Sequence, residues 1–166
     1  MQADPDEFTA LVSEYRTRAF HFLLQIVGNR EDALDLLQEA FIRLYTKSER
    51  RDPSRPVAPW LYRILRNLAI DHLRRRSYRR VYELDEQRDG GAVDAESAPE
   101  SSELKIQLWK AINELPEAQK EVFILREMHG LSYAEMSEVT GEPVTTVTAR
   151  LHHARHKLRE DLRGYL

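Results

Sequence analysis

Small polar side chains and imidazoles share one face of a predicted helix near the C-terminus of this sequence. The face consists of Thr145, Thr148, Ala149, His152, His153 and His156. Steps of three and four residues place these side chains together, and no acidic residue joins them before Glu160. The positive end of the helix dipole lies beside the first threonines and favours a phosphate group. This face therefore predicts a nucleic-acid contact.

A second candidate surface is a run of arginines in the middle of the chain. Residues 50–82 carry 10 basic and 2 acidic side chains, although the net charge of the whole chain is -3. Five of the arginines stand close together with tyrosines between them: Arg74, Arg75, Arg76, Arg79 and Arg80. Cationic side chains neutralise phosphates and aromatic rings stack on bases, so this run also predicts nucleic-acid binding. The alternative is a solvated helix end, where cations are favoured in any case.

Metal binding and catalysis have little support in the sequence. His152 and His156 lie one helical turn apart, but no carboxylate shares that turn and the chain has no cysteine. No glycine-rich phosphate loop or nucleophile elbow is present, and Asp71-His72 fits a helix surface and core edge better than a catalytic pair. We predict no catalytic residue, no metal and no cofactor, and hence a protein that is not an enzyme.

The histidine-bearing helix is predicted to be the second helix of a helix-turn-helix. Ser132 and Glu135 have capping-box spacing, so a first helix should start at Tyr133 and end at Gly141. A second helix should begin near Val144. Its inward stripe is predicted to be Val144, Val147, Leu151, Ala154, Leu158 and Leu162. The alternative is a plain helical hairpin within a core.

The rest of the chain also has helical periodicity, and no stretch alternates as a strand does. Helices are predicted over Phe8–Val27, Arg30–Tyr45, Trp60–Arg80, Leu104–Leu115 and Glu117–Met128. Gly28-Asn29 should end the first of them and Gly130 the last. The residues of the third helix that can face the core are Leu61, Ile64, Leu65, Leu68, Ala69 and His72. Three prolines should keep residues 50–59 non-helical. The inward side of the second helix is predicted to be Ala33, Leu36, Leu37, Ala40, Phe41 and Leu44. The predicted fold class is all-α.

Composition divides the 166 residues into two predicted units. Residues 83–103 hold 8 acidic side chains and 1 basic one, with few apolar groups, which is typical of a flexible linker. We therefore expect folded units at 1–82 and 104–166. The acidic N-terminus does not resemble a signal peptide, and no apolar run is long enough to cross a bilayer. The expected location is the cytoplasm.

Three segments, in this order, resemble bacterial RNA polymerase sigma factors of the extracytoplasmic-function (ECF) group, in the sigma-70 family. EDALDLLQEAFIRLY at 31–45 is similar to the region 2 helix that binds the polymerase, and PWLYRILRNLAIDHLRRR at 59–76 to the segment that opens and reads the −10 element. Residues 115–159 resemble region 4, which reads the −35 element. The resemblance implies two small helical domains that direct promoter-specific initiation. The implied partners are core RNA polymerase, through its largest-subunit clamp helices and its flap, promoter DNA, and an anti-sigma factor.

The resemblance also implies roles for individual residues. The polymerase-binding residues would be Asp35, Gln38, Glu39, Ile42 and Arg43. Those that contact the −10 element would be Arg51, Arg55, Trp60, Arg63, Arg66, Asn67, Arg74, Arg75 and Arg76. Those that contact the −35 element would be Thr145, Thr146, Thr148, Ala149, Arg150, His152, His153 and His156.

The recognition helix departs from the usual family pattern. A basic residue and a serine commonly stand where this chain has Thr148 and Ala149, and His153 takes a position that is often arginine. Bidentate reading of guanine is therefore lost at position 148. We expect either an unusual −35 sequence or binding that depends less on charge. Two other functions stay open from the residues alone: a stand-alone helix-turn-helix regulator with an N-terminal sensing or dimerising module, and an RNA-binding accessory protein.

Overall fold

The computed structural model describes residues 4–82 and 102–165, which contain seven α-helices and no β-strand. The chain divides into two compact units, Met1–Gly91 (unit 1) and Ala92–Leu166 (unit 2). The predicted all-α class is confirmed. Residues 83–101 of the predicted linker lie outside the described residues. No helix within the described ranges is both long enough and apolar enough to cross a membrane.

Unit 1 is a bundle of three helices with clear local end signals. Helix α1 spans Pro5–Val27, α2 spans Arg30–Thr46 and α3 spans Val57–Tyr82. Gly28 ends α1 with a φ of 75°, a left-handed conformation that glycine adopts without strain. The side chain of Asn29 accepts a hydrogen bond from the backbone N–H of Asp32 at 3.0 Å, which caps the start of α2. The predicted turn at Gly28-Asn29 is confirmed.

The start of α3 differs from the prediction. It begins at Val57, three residues before Trp60, and takes Pro59 into its first turn. Proline is tolerated there because the first backbone N–H groups of a helix have no intrahelical partner. The non-helical loop is therefore shorter than the predicted 50–59, and Ser48–Arg50 form a turn of 3₁₀-helix before it.

The core of unit 1 lies where the three helices meet. All six residues predicted on the inward side of α2 are buried, and so are those of α3 from Leu61 to Ala69 that were predicted to face the core. His72, predicted at the edge of the core, is half-buried. Its Nε2 lies 3.0 Å from Oδ2 of Asp32 on α2, so a polar link takes the place of apolar packing.

Tyr62 occupies the centre of this core. Its ring packs edge-on against Phe22 with centroids 5.4 Å apart, and only 1% of the residue is exposed. Burial raises the pKa of Tyr62 from 10.0 to about 12, because the phenolate form would lose its hydration. A raised pKa means that the contribution of the neutral phenol to stability is complete below pH 10 and is lost as pH rises towards 12.

We therefore expect unit 1 to lose stability between pH 10 and about 12. The loss in free energy of unfolding should reach about 2 to 3 kcal/mol, from a pKa difference of two units. Urea unfolding across this range, followed by circular dichroism, measures it. Tyr62→Phe has no phenol to ionise at this position and should lack this part of the pH dependence. An equal pH dependence in the two proteins would contradict the assignment to Tyr62.

Unit 2 begins with two α-helices, and the second continues as a short π-helix. Helix α4 spans Glu103–Asn113 and is capped by Ser102, so the last two residues of the predicted linker belong to this folded unit. Helix α5 spans Glu117–Phe123 and continues as π-helix over Ile124–Met128. A single α-helix was predicted over Glu117–Met128, so the prediction was wrong for the π-helical part. The predicted end at Gly130 is confirmed by its φ of 70°.

The helix-turn-helix is present as predicted. Helix α6 spans Tyr133–Thr140, and α7 spans Val144–Asp161. Both capping-box bonds are formed: Ser132 N–H donates to Oε1 of Glu135 at 3.0 Å, and Glu135 N–H donates to Oγ of Ser132 at 3.1 Å. Gly141 has a φ of 74° and ends α6. Buried side chains of both helices form the core of unit 2, including Met136, Val139, Val147, Leu151, Ala154 and Leu158.

One predicted member of the inward stripe of α7 is wrong. Val144 is 44% exposed, whereas the other five residues of the stripe are buried. Val144 is the first residue of the helix, directly after Pro143, and the core begins one turn later at Val147.

Candidate protein-binding and nucleic-acid-binding surfaces

The five residues predicted to bind a protein partner lie on the side of α2 away from the core, and we call them the α2 surface. Asp35, Gln38 and Ile42 are exposed, with 57% of Ile42 accessible. Glu39 and Arg43 are half-buried and form an ion pair of 2.6 Å along the helix. Phe41, expected to belong to the core, is buried. The surface combines one exposed aliphatic group with acidic and amide neighbours.

An apolar groove of about 560 Å³ borders the α2 surface, and we call it the α2 groove. It runs between α1 and α2 and is lined by Phe8, Val12, Arg16, Leu34, Leu37, Gln38, Phe41, Ile42 and Tyr45. The sequence analysis missed it. One signal was available, because Leu34, Gln38 and Ile42 follow at intervals of four residues and Leu34 is 43% exposed. The groove can take apolar side chains from a partner helix.

The α3 helix presents a row of cationic and amide side chains to solvent. Arg63, Asn67, Arg74 and Arg75 are exposed, together with Arg79 and Arg80, whereas Trp60 and Arg66 are half-buried. Nη1 of Arg66 lies 3.4 Å from Oδ1 of Asn67. Most of the residues predicted to contact the −10 element therefore lie together along one helix.

Arg76 lies apart from the exposed row. It is half-buried, and its Nη1 donates a hydrogen bond to the carbonyl oxygen of Val27 at 3.2 Å. The last carbonyls of a helix have no partner within that helix, so Arg76 satisfies one of them at the end of α1. Arg76 therefore links α3 to α1, in addition to any contact with DNA.

Internal hydrogen bonds hold the loop before α3. Nη2 of Arg51 donates to the carbonyl oxygen of Arg55 at 3.2 Å. Oδ1 of Asp52 accepts from the hydroxyl and the backbone N–H of Ser54, at 2.6 and 2.9 Å. The hydroxyl bond is the largest influence that lowers the pKa of Asp52. Arg51 thus folds over its own loop, while Arg55 extends into solvent.

The predicted nucleic-acid face of α7 is open to solvent. All six of its residues, from Thr145 to His156, are exposed, and we call them the outer face of α7. Thr146 and Arg150 are half-buried. Nη2 of Arg150 lies 3.4 Å from Oε1 of Glu142 in the turn, so its charge is partly compensated within the protein. Within residues 4–82 and 102–165, no three histidine, aspartate or glutamate side chains form a group suited to a metal ion.

Two family models match this chain, one in each unit. Sigma-70 region 2 matches residues 11–79, and Sigma-70 region 4 matches residues 105–158. The chain is 33% identical to the ECF RNA polymerase sigma factor SigW of Bacillus subtilis, over 98% of this chain and 92% of that protein. This chain belongs to the ECF sigma factors of the sigma-70 family. The family resemblance of the sequence is thus confirmed.

Two other relatives agree with this family. The sigma factor is 34% identical to the ECF sigma-E factor of Haemophilus influenzae, with 97% of this chain and 90% of that protein covered. It is also 34% identical to SigE of Mycolicibacterium smegmatis, but covers only 63% of that longer protein.

Two solved structures share the fold. The sigma factor RpoE of Bartonella quintana, solved with the anti-sigma factor NepR, has a TM-score of 0.78 at 21% identity, over 96% of this chain and 99% of that one. CnrH, solved with the cytosolic domain of CnrY, has a TM-score of 0.73 at 22% identity, over 99% and 92%.

Unit 2 of the sigma factor also has an apolar groove, and no sequence pattern predicted it. This groove of about 550 Å³ is lined by Leu108, Phe123, Glu127, His152, Arg155, Leu158, Arg159 and Leu162. Arg155 forms an ion pair with Glu127 at the edge of this groove. His152 belongs both to this groove and to the outer face of α7, so the two surfaces adjoin.

Proposed function

We propose that this sigma factor binds core RNA polymerase through the α2 surface and α2 groove, and reads promoter DNA with α3 and α7. The observation that supports this most strongly is the distribution of the two region matches. Region 2 falls on the unit with the apolar groove and arginine row, and region 4 falls on the unit with the helix-turn-helix.

The polymerase contact is assigned to α2 because of the side chains that this helix exposes to solvent. Leu34 and Ile42 offer apolar area at the edge of the α2 groove, and Asp35 and Gln38 lie between them. Exposed apolar groups surrounded by polar ones are typical of protein interfaces. We assign this surface to the clamp helices of the largest subunit, and the groove of unit 2 to the polymerase flap.

The −10 contact is assigned to α3 and the loop before it. Exposed arginines of α3 neutralise phosphates, and Asn67 offers both a donor and an acceptor to a base. The bonds of Arg51 and Asp52 hold the loop in one conformation before DNA arrives. A preformed loop favours capture of an unstacked base, because less conformational entropy is lost on binding.

The whole protein is proposed to be two DNA-binding modules, residues 1–82 and 102–166, joined by the acidic segment 83–101. Ser102 and Glu103, which were predicted in the linker, belong to the second module. It positions the polymerase and stabilises melted DNA, and it carries out no bond chemistry of its own. We place it in the cytoplasm with its polymerase. Regulation by an anti-sigma factor is proposed because RpoE of Bartonella quintana, a sigma factor of similar fold, was solved with the anti-sigma factor NepR.

Run-off transcription with core polymerase tests the proposal. Core enzyme plus this chain should initiate from promoters that core enzyme alone ignores, and start-site mapping should then show shared −10 and −35 sequences. The contrary result is a chain that does not bind core enzyme or direct initiation, and that binds duplex DNA as a dimer. That result would contradict the sigma factor proposal and favour a stand-alone helix-turn-helix regulator. A preference for folded RNA over promoter DNA would instead favour the accessory protein.

The double substitution Arg74→Ala with Arg75→Ala should weaken open-complex formation at every promoter. Both side chains are exposed on α3, and a phosphate contact does not depend on sequence. The slope of log affinity against log salt should fall by about 1.4 to 1.8, since each of the two phosphate contacts contributes about 0.7 to 0.9. Promoter binding by holoenzyme at several salt concentrations measures it.

Lys105→Ala with Arg163→Ala provides the control for this experiment. It removes the same charge from exposed positions of unit 2 outside the outer face of α7, and should leave the slope unchanged. An unchanged slope in the α3 variant would rule out phosphate contacts by Arg74 and Arg75.

A further inference from the structure

The first two turns of α7 present methyl groups where a recognition helix commonly presents cations. Val144, Thr148 and Ala149 are all exposed, and we call them the methyl patch. Val144 and Thr148 are one turn apart, and Ala149 follows directly. The patch lies at the N-terminal end of the recognition helix, which is the part of such a helix that contacts base edges.

The hydroxyl of Thr148 is already used inside the protein. It donates a hydrogen bond to the carbonyl oxygen of Val144 at 2.8 Å. The hydroxyl hydrogen is therefore not available to a base or a phosphate, and the exposed side chain offers its methyl group and the oxygen lone pairs. Ala149 has only a methyl group to offer. Two adjacent positions thus present apolar surface despite the polar character of threonine.

The one cation of this stretch lies beside an acidic side chain of the turn. Between Val144 and Leu151 the sequence holds one cation, Arg150. It is half-buried and lies beside Glu142 in the turn, at 3.4 Å. A guanine contact of the usual kind needs an arginine or lysine directed at the base edge, and an adenine contact needs asparagine or glutamine. The methyl patch offers neither.

Thymine is the base that presents an apolar group in the major groove, its C5 methyl. We propose that Val144, Thr148 and Ala149 recognise thymines of the −35 element through these C5 methyl groups. The inference rests on the proposed function, because it requires α7 to enter the major groove at that element. The imidazoles of His152, His153 and His156 lie further along α7 and are left for phosphates or other bases.

Deoxyuridine tests this directly, because it differs from thymidine only by the absent C5 methyl. A promoter found by start-site mapping is remade with deoxyuridine at each −35 thymine in turn, and holoenzyme affinity is measured. Loss of each contacted methyl should weaken binding about threefold to fourfold, the value of one buried methyl-sized group. Deoxyuridine in the spacer between the two elements is the matched DNA control and should have no effect.

Thr148→Ser tests the same contact from the protein side. Serine keeps the hydroxyl that bonds to Val144 and removes only the methyl group. This variant should bind the thymidine promoter about threefold more weakly and lose sensitivity to deoxyuridine at one position. If the wild-type protein binds every deoxyuridine promoter as tightly as the thymidine one, the methyl proposal is overturned. Failure of the proposed function is a separate result, because no promoter would then be found by start-site mapping.

Discussion

Replacing Ile42 with glutamate should reduce the affinity of this sigma factor for core RNA polymerase by about a hundredfold or more. Ile42 is 57% exposed and lines the α2 groove together with Leu34 and Gln38. A carboxylate at this position would lose its hydration against an apolar partner surface, which disfavours the complex. Competition for core enzyme against labelled wild-type sigma factor measures the affinity.

The matched control is Val81→Glu, which places the same charge on another exposed aliphatic position of unit 1. It should bind core enzyme in the absence of DNA as wild type does. Circular dichroism should show folded protein for both variants, since neither side chain is buried. Wild-type affinity in the Ile42 variant would remove the α2 surface from the polymerase interface.

Truncating Leu151 to alanine should unfold unit 2 while unit 1 keeps its structure. Leu151 is 1% exposed in the core of unit 2. The cavity should cost about 3 to 5 kcal/mol, which for a small domain lowers the melting temperature by more than about 10 °C. The chain has 2 tryptophans, Trp60 in unit 1 and Trp109 in unit 2, so single-tryptophan variants follow each unit by fluorescence.

The melting temperature seen by Trp60 should be unchanged in the Leu151 variant, and that seen by Trp109 should fall. Leu104→Ala, at an exposed position of α4, should move neither. If both tryptophans report a lower melting temperature together, the chain unfolds as one cooperative unit. That result would contradict the proposed division into modules 1–82 and 102–166.

The resemblance to a family predicted a more specific function than the residue patterns alone did. The helix-turn-helix and the arginine run predicted a nucleic-acid-binding protein, and that left a sigma factor, a helix-turn-helix regulator and an RNA-binding accessory protein open. The order of three segments, at 31–45, 59–76 and 115–159, favoured the sigma factor, and the region matches confirm the family. The assignment of single residues to polymerase or DNA stays a prediction that the experiments above test.

The sequence by itself determined the helices, most of their ends and most of the buried side chains. Capping at Ser132 and the left-handed glycines at 28, 130 and 141 act within about four residues, so their effects can be predicted from nearby sequence. The buried side of α2 follows from helical periodicity for the same reason. These are local signals, and tertiary packing did not override them.

Only the tertiary structure decided which polar groups are free to bind a partner. Arg76 and Arg150 resemble other exposed arginines in the sequence, yet one bonds the end of α1 and the other lies beside Glu142. The α2 groove depends on where α1 crosses α2. The start of α3 at Val57 and the π-helix at Ile124–Met128 were not predicted either. The partner of Arg76 and the α1 side of the groove come from residues distant in sequence, so no local pattern predicts them.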